Sequence, residues 1–322
     1  MNVRLSYALS GALALPDAGR ILLLRPSGQM DLSPLPLDRV VAVTGFRPDH
    51  DALARRVEVA ETVEGDFAAA LVCLPRAKAL ALDLIATACA ALPEGAPVIV
   101  DGNKADGVES VLKLCRATFE LDEVVSKAHG KCFAFPAAPA PDGWAATPLE
   151  ADGFLTTAGV FSADGIDPGS ALLAKHLGDV SGRVCDLGAG WGFLARGILA
   201  SDAVTAVALV EAERAALDCA RLNVTDPRAS FHWADATRFD GGPFDWVVSN
   251  PPFHVSRKAD PDLGRAFVAA AARLAPRGRL RLVANRHLPY EAALTDAFAE
   301  TLVLEERDGY KVIEAQRPRR TR

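Results

Sequence analysis

Asn250-Pro251-Pro252-Phe253 joins four residues that together could grip a flat molecule carrying an exocyclic amino group. The Asn250 carboxamide oxygen accepts a hydrogen bond from an N–H group. Pro251 offers a bare carbonyl, and Pro252 restricts the backbone of Pro251 so that this carbonyl has a fixed direction. Phe253 supplies an apolar face for stacking. The tetrapeptide follows Phe244-Asp245-Trp246-Val247-Val248-Ser249, an apolar run that reads as a buried strand. In an open α/β sheet the carboxyl end of a strand borders the ligand crevice. Taken alone, the tetrapeptide also fits a proline-rich turn.

A second group lies upstream. Gly188, Gly190 and Gly192 in Asp186-Leu187-Gly188-Ala189-Gly190-Trp191-Gly192 allow a tight strand-to-helix turn and close approach to a ligand. Phe193 stands where a dinucleotide fingerprint wants Gly or Ala, which argues against a nicotinamide dehydrogenase. Asp186 would repel a pyrophosphate and suits a cationic ligand such as S-adenosylmethionine, which carries a sulfonium and an ammonium. Glu211 ends the next strand, where a carboxylate can accept ribose hydroxyls. Asp235 follows the third strand and could accept an adenine amino group. Each acidic residue alone fits a helix cap or a solvated loop. Their recurrence at successive strand ends, with Asn250 at the fourth, points to one site.

The elements that must position these residues are legible in residues 149–322. Strands read at Arg183–Leu187, Val204–Val210, Ser230–Trp233, Phe244–Ser249 and Arg279–Ala284, with helices between them. Thr301–Glu305 and Tyr310–Glu314 flank Asp308-Gly309, a hairpin signal. Repeated βα units ending in a hairpin imply a mostly parallel sheet with an antiparallel edge. Residues 1–135 carry a fainter version, with strands at Ile21–Leu24, Val40–Val43, Ala69–Cys73 and Pro97–Val100. Here Arg25-Pro26-Ser27-Gly28 and Leu74-Pro75-Arg76 replace the glycine loop and the Asn-Pro-Pro motif. The expected fold is therefore α/β, with two tandem domains of which the first has lost its ligand site. Residues 136–148, rich in Pro and Ala, read as a semi-rigid linker.

The 322 residues carry a net charge of −6, which does not advertise a nucleic-acid binder. Residues 273–322 nonetheless hold 11 basic and 7 acidic side chains, and Arg273, Arg277, Arg279 and Arg281 could meet phosphates or form a solvated surface. The six cysteines form no CxxC or Cys/His cluster, so they read as reduced core thiols, and no metal site is expected. No apolar stretch reaches the length of a membrane span or a signal peptide, so a cytoplasmic protein is expected.

Residues 149–322 resemble class I S-adenosylmethionine-dependent methyltransferases of the amino-group type. More closely, the chain is similar to the RsmC/RlmG family, which methylates the N2 amino group of guanine in ribosomal RNA. The resemblance rests on Gly159-Val160-Phe161-Ser162 with Asp164, on Asp167-Pro168-Gly169-Ser170, on Val184 to Gly192, on Ser249 to His254, and on Val283-Ala284-Asn285 with Leu288-Pro289-Tyr290. It implies two Rossmann-like domains with seven-stranded sheets and a degenerate N-terminal copy. It also implies S-adenosylmethionine as cofactor, with Phe161, Asp167, Gly169 and Ser170 folding over it. The implied substrate is a guanine in 16S ribosomal RNA, within a ribosomal subunit or assembly intermediate, acted on by a monomer. The bulky Trp191 departs from the small residue usual at its position. The same chemistry on a 23S guanine or on a protein glutamine stays open. So does a non-catalytic RNA-binding assembly factor, although intact Asp186, Glu211, Asp235 and Asn250 argue against it. His254 reads as structural or substrate-contacting rather than as a base.

Overall fold

In the computed structural model, residues 3–11, 13–252, 261–286 and 290–319 are described. The chain divides into two units, residues 1–148 and 149–322.

In the first unit, α1 (Val3–Leu9) precedes β1 (Ile21–Leu24), β2 (Val40–Val43), α2 (Arg47–Leu53), β3 (Glu58–Ala60), β4 (Ala69–Cys73) and α3 (Lys78–Ala91). β5 (Pro97–Asn103), α4 (Val108–Thr118), β6 (Val125–Lys127) and β7 (Gly130–Pro136) complete it. The sheet order is β3-β2-β1-β4-β5-β7-β6, parallel except for β7, which runs antiparallel to both its neighbours. Alternate residues of a strand face opposite sides, and the core follows that rule. Leu22 and Leu24 pack with Ile85, Val111 and Leu112 of α3 and α4. Ile21 and Leu23 pack with Leu5 of α1 and Leu53 of α2. Burial on both faces explains why β1 is apolar at every position.

The second unit opens with a short hairpin, β8 (Leu149–Ala151) and β9 (Phe154–Thr156), then α5 (Pro168–Ala174) and β10 (Gly182–Leu187). α6 (Phe193–Ile198), β11 (Val204–Glu211), α7 (Arg214–Asn223), β12 (Ala229–Trp233) and β13 (Trp246–Ser249) follow. α8 (Pro261–Leu274), β14 (Arg279–Asn285), α9 (Tyr290–Ala297), β15 (Phe298–Arg307) and β16 (Tyr310–Pro318) end the chain. The sheet order is β12-β11-β10-β13-β14-β16-β15, strand for strand the order of the first unit. α8 and α9 cover one face, while α5, α6 and α7 cover the other. β15 and β16 turn through Asp308 and Gly309, both at positive φ, as an Asp-Gly hairpin requires.

The linker expected at 136–148 is instead a strap on the first unit. β7 runs through Phe135, whose ring stacks on Phe119 at 4.2 Å, and Trp144 meets Phe119 edge-on. Ala137 exchanges backbone hydrogen bonds with Gly95 and Ala96, and the Ala146 amide donates to Asp83. Apolar Ala and Trp side chains give this stretch a surface to bury, which outweighs the stiffness its prolines suggest. No helix among the described residues is long and apolar enough to cross a membrane.

Candidate active site

β10 lies at the centre of the second sheet, between β11 and β13. Its carboxyl end turns into α6 through Gly188–Gly192. The Gly188 and Ala189 amides both donate to the Val210 carbonyl, at 2.8 and 3.0 Å, which pins the turn to the end of β11. Two of the glycines act differently. A side chain at Gly192 would come within 2.9 Å of Val224, so this glycine lets the loop settle on the end of α7. A side chain at Gly190 would meet nothing within 4 Å, although φ there is +55°. Gly190 thus leaves open space above a left-handed turn, room that no protein atom uses.

Beneath the loop sits an uncompensated charge. Asp186 is completely buried, and neither carboxylate oxygen has a hydrogen-bond partner among the described residues. Burial pushes its carboxyl up to about 7, and the neighbouring negative charge of Glu211 adds to the rise. The Ala195 amide works the other way, without the alignment of a full hydrogen bond. Glu211 itself is raised, chiefly by burial, against the pull of hydrogen bonds from Glu213 and Gly190. Its two oxygens accept from the Gly190 and Glu213 amides, each at 2.8 Å. A carboxylate has about four acceptor positions, so capacity is left over. Two acids in one low-dielectric place, with no cation paired to Asp186 among the described residues, form a site suited to a positively charged ligand.

Asn250 follows β13 directly and lines the same pocket as Gly188, Gly190, Trp191, Phe161, Asp167 and Ser170. Its Nδ2 donates to Asp167 Oδ2 at 2.9 Å and to Ser170 Oγ at 2.8 Å. Its Oδ1 is buried and has no partner among the described residues. Asp167 is also the N-cap of α5, with Oδ2 accepting from the Ser170 amide at 2.7 Å and Pro168 in the first turn. Pro251 is buried and Pro252 exposed, while Phe253 and His254 fall outside the described residues.

The pocket gathers Phe161, Asp167, Ser170, Gly188, Gly190 and Asn250. Asp186 and Glu211 do not line it; Asp186 precedes its glycine loop in the chain, and Glu211 reaches that loop through the Gly190 amide. Gly169, Gly192 and Asp235 stand apart too. Gly169 backs onto Tyr310, where a side chain would meet the ring at 2.9 Å, so it lets α5 pack against β16. Gly192 serves the packing on α7. Asp235 turns back on its own loop, accepting from the Thr237 amide and hydroxyl, and does not line the pocket. An acidic residue two positions before a threonine favours such a local turn. The basic run also differs from the phosphate-binding alternative. Arg281 is buried against Asp179, Glu314 and the His176 carbonyl, and Arg273 caps the 237–239 loop. None of Arg273, Arg279 and Arg281 lines the pocket that holds Asn250.

Trp191 is the residue whose part the sequence did not disclose. Its indole N–H donates to the Phe161 carbonyl at 2.9 Å, and its ring packs with Phe154 and Phe193. Asn223 at the end of α7 exchanges hydrogen bonds with Leu155 and also donates to the Trp191 carbonyl. Together they fasten the segment before α5 onto the glycine loop. Phe161 is left 62% exposed at the pocket mouth, an aromatic ring held in water by its own backbone.

Comparison with known proteins shows the family. Residues 152–314 match the family described as Methyltransferase small domain. The chain belongs to this family. Residues 47–142 match its companion, Methyltransferase small domain N-terminal. Ribosomal RNA small subunit methyltransferase C of Shewanella sp. (strain MR-4) is 31% identical over 76% of this chain and 76% of its own length. The protein of that name from Chromohalobacter salexigens is 33% identical over 82% of each. Among solved structures, the T. thermophilus 16S rRNA N2 G1207 methyltransferase (RsmC), in complex with AdoMet and guanosine, superposes with a TM-score of 0.76. It is 26% identical, over 94% of this chain and 89% of that one. This small-domain methyltransferase is RsmC-like in both its units.

Proposed function

We propose that this protein transfers a methyl group from AdoMet to the N2 amino group of a guanine in 16S ribosomal RNA. The observation that carries the reading is the Asn250 Oδ1, a buried acceptor without a partner among the described residues, on a side chain that lines the pocket of the glycine loop after Asp186. The RsmC-like relatives support the substrate class.

AdoMet supplies an electrophilic methyl group on a sulfonium. The cavity chemistry fits it: Asp186 offers the compensating negative charge, Glu211 has acceptor capacity left over, and Gly190 leaves space for a close approach. Toward the substrate, Asn250 Oδ1 accepts one N–H of the exocyclic amine and the Pro251 carbonyl the other. The guanine N2 lone pair is delocalised into the ring, and two such hydrogen bonds favour a more tetrahedral nitrogen with its lone pair directed at the methyl donor. Phe253 is proposed to stack on the base. A paired guanine is out of reach, so the target must be unstacked or already single-stranded. Alignment supplies most of the acceleration, because the proton on the methylated nitrogen is acidic enough to leave to water. With net charge −6, this chain suits a ribosomal particle that presents the base better than free RNA of any sequence.

Asn250→Ala should leave AdoMet affinity within about threefold and lower kcat by about a hundredfold, the usual scale for a lost hydrogen bond to developing charge. Tritiated methyl transfer to 16S and 23S RNA, free and in subunits from a strain lacking the gene, reads both activity and target. Methylation of 23S RNA alone, or full turnover by the variant, would reject the proposal.

A further inference from the structure

A carboxamide has two faces that look alike in shape and are opposite in hydrogen bonding. Rotated by half a turn, Asn250 would present N–H groups where it now presents oxygen. Its neighbours forbid the rotation. Asp167, as an ionised carboxylate, only accepts hydrogen bonds, so the atom 2.9 Å from it has to be Nδ2. The second N–H goes to Ser170 Oγ at 2.8 Å. Turning the amide would set its oxygen against the Asp167 oxygen, lone pair against lone pair. It would also aim donors at the pocket. Asp167 is in turn held by capping α5 through the Ser170 amide, and α5 by the fit of Gly169 under Tyr310. A chain of rigid contacts thus ends on one atom, Oδ1, which is buried and has no partner among the described residues.

We propose that Asp167 and Ser170 are positioning residues that lock the Asn250 carboxamide with its oxygen toward the substrate, and so select an amino group over a carbonyl. The inference rests on the reading of this site as an amino-group methyltransferase. It gives Asp167 and Ser170 a role different from covering the cofactor, since their polar atoms are directed at Asn250 and at the helix end.

Asp167→Ser separates the two roles. Serine is as good an N-cap as aspartate, so α5 is retained. Asp167 Oδ2 accepts from both the Ser170 amide and Asn250 Nδ2; the shorter serine hydroxyl keeps the first partner and removes the charged acceptor that holds the second, so the lock is lost. The expected result is a fall in kcat of roughly tenfold to a hundredfold, the scale of one charge-assisted hydrogen bond, with AdoMet Kd within about twofold by calorimetry. In an Asn250→Ala background the same change should cost nothing further. Ser170→Ala should lower kcat by about threefold, the scale of a neutral hydrogen bond. The side-chain amide protons of Asn250, followed by NMR in the full chain, should exchange slowly in the wild type and rapidly in Asp167→Ser. That measurement needs no RNA: slow exchange upholds the lock even if guanine is not the substrate. Rapid exchange in an active wild type overturns the lock while leaving the substrate reading intact. A rate loss matched by a rise in AdoMet Kd, or one additive with Asn250→Ala, would return Asp167 to the cofactor and overturn the proposal.

Discussion

Replacing Asp186 with asparagine should make the ligand-free protein more stable and a poor binder of AdoMet. The Asp186 carboxyl is displaced from 3.8 to about 7. At about 1.4 kcal/mol per unit, keeping it ionised in the empty site costs on the order of 4 kcal/mol. Its folded pKa lies above its unfolded one, so the folded protein holds this proton more tightly. Stability should therefore fall as pH rises from about 4 and level off above about 7. Asparagine carries no such slope. A buried amide without partners costs about 1–3 kcal/mol, which leaves a net gain of roughly 1–3 kcal/mol at pH 8. Tryptophan fluorescence during urea unfolding follows this unit, because Trp191, Trp233 and Trp246 lie in it and only Trp144 in the other. AdoMet binding by calorimetry should be weaker by about a hundredfold in the variant, the scale of a lost buried ion pair. In the wild type, affinity should rise about tenfold from pH 6 to pH 8 as Asp186 goes from about one-tenth to nine-tenths ionised. Equal AdoMet affinity in both proteins, or a wild-type stability flat across this range, would refute the reasoning.

Trp191→Phe keeps an aromatic ring in its cluster but removes the hydrogen bond to Phe161; AdoMet should dissociate several-fold faster, with a stability loss of about 1 kcal/mol, by stopped-flow and urea unfolding. Gly190→Ala should cost about 1–2 kcal/mol of stability for its left-handed backbone and weaken AdoMet at least tenfold, because its methyl enters the open space of the pocket. Unchanged affinity would mean that this space is not used.

Much of the site could be read from residue order because its parts sit at strand ends, and strand ends are marked by apolar runs. β1, β2 and β4 have the bounds expected from their apolar residues alone. Asp186, Gly190, Glu211 and Asn250 were legible for that reason. What stayed hidden depends on contacts between distant segments. Trp191 looked like an awkward bulk in a glycine loop, and its use appears only when the Phe161 carbonyl, thirty residues away, arrives beside it. Asp167 gave a visible capping signal, but its bond to Asn250 joins elements with no pattern in common. The 149–156 hairpin carried a readable Asp152-Gly153 turn, both at positive φ, and its three-residue strands were too short to show alternation. Arg281 reads as a surface cation in sequence; three acceptors and the Trp246 ring make it a buried brace.

The common strand order of the two sheets allows a residue-by-residue comparison of their crevices. The central strands end at Leu24 and Leu187. Leu24 pairs with Val43 and Val72, as Leu187 pairs with Val210. Val72 pairs onward with Val100 in β5, and its counterpart Ser249 pairs with Leu282 in β14. In this register Leu23 stands for Asp186, Thr44 for Glu211 and Cys73 for Asn250. Asp186, Glu211 and Asn250 of the second unit are thus each replaced by a side chain that carries no charge when buried. The helix before the central strand changes as well. α5 directs Asp167 and Ser170 at Asn250, whereas α1 sends Arg4 across the sheet end into a two-pronged ion pair with Asp101, at 2.6 and 2.9 Å. The Arg4 guanidinium lies against Gly130, which pairs with Asn103 as Tyr310 pairs with Asn285. The first crevice satisfies its own charges from within the fold. The second leaves Asp186 and Asn250 unsatisfied, so its folded state is better matched to a ligand with one cationic group and one amino donor than to water.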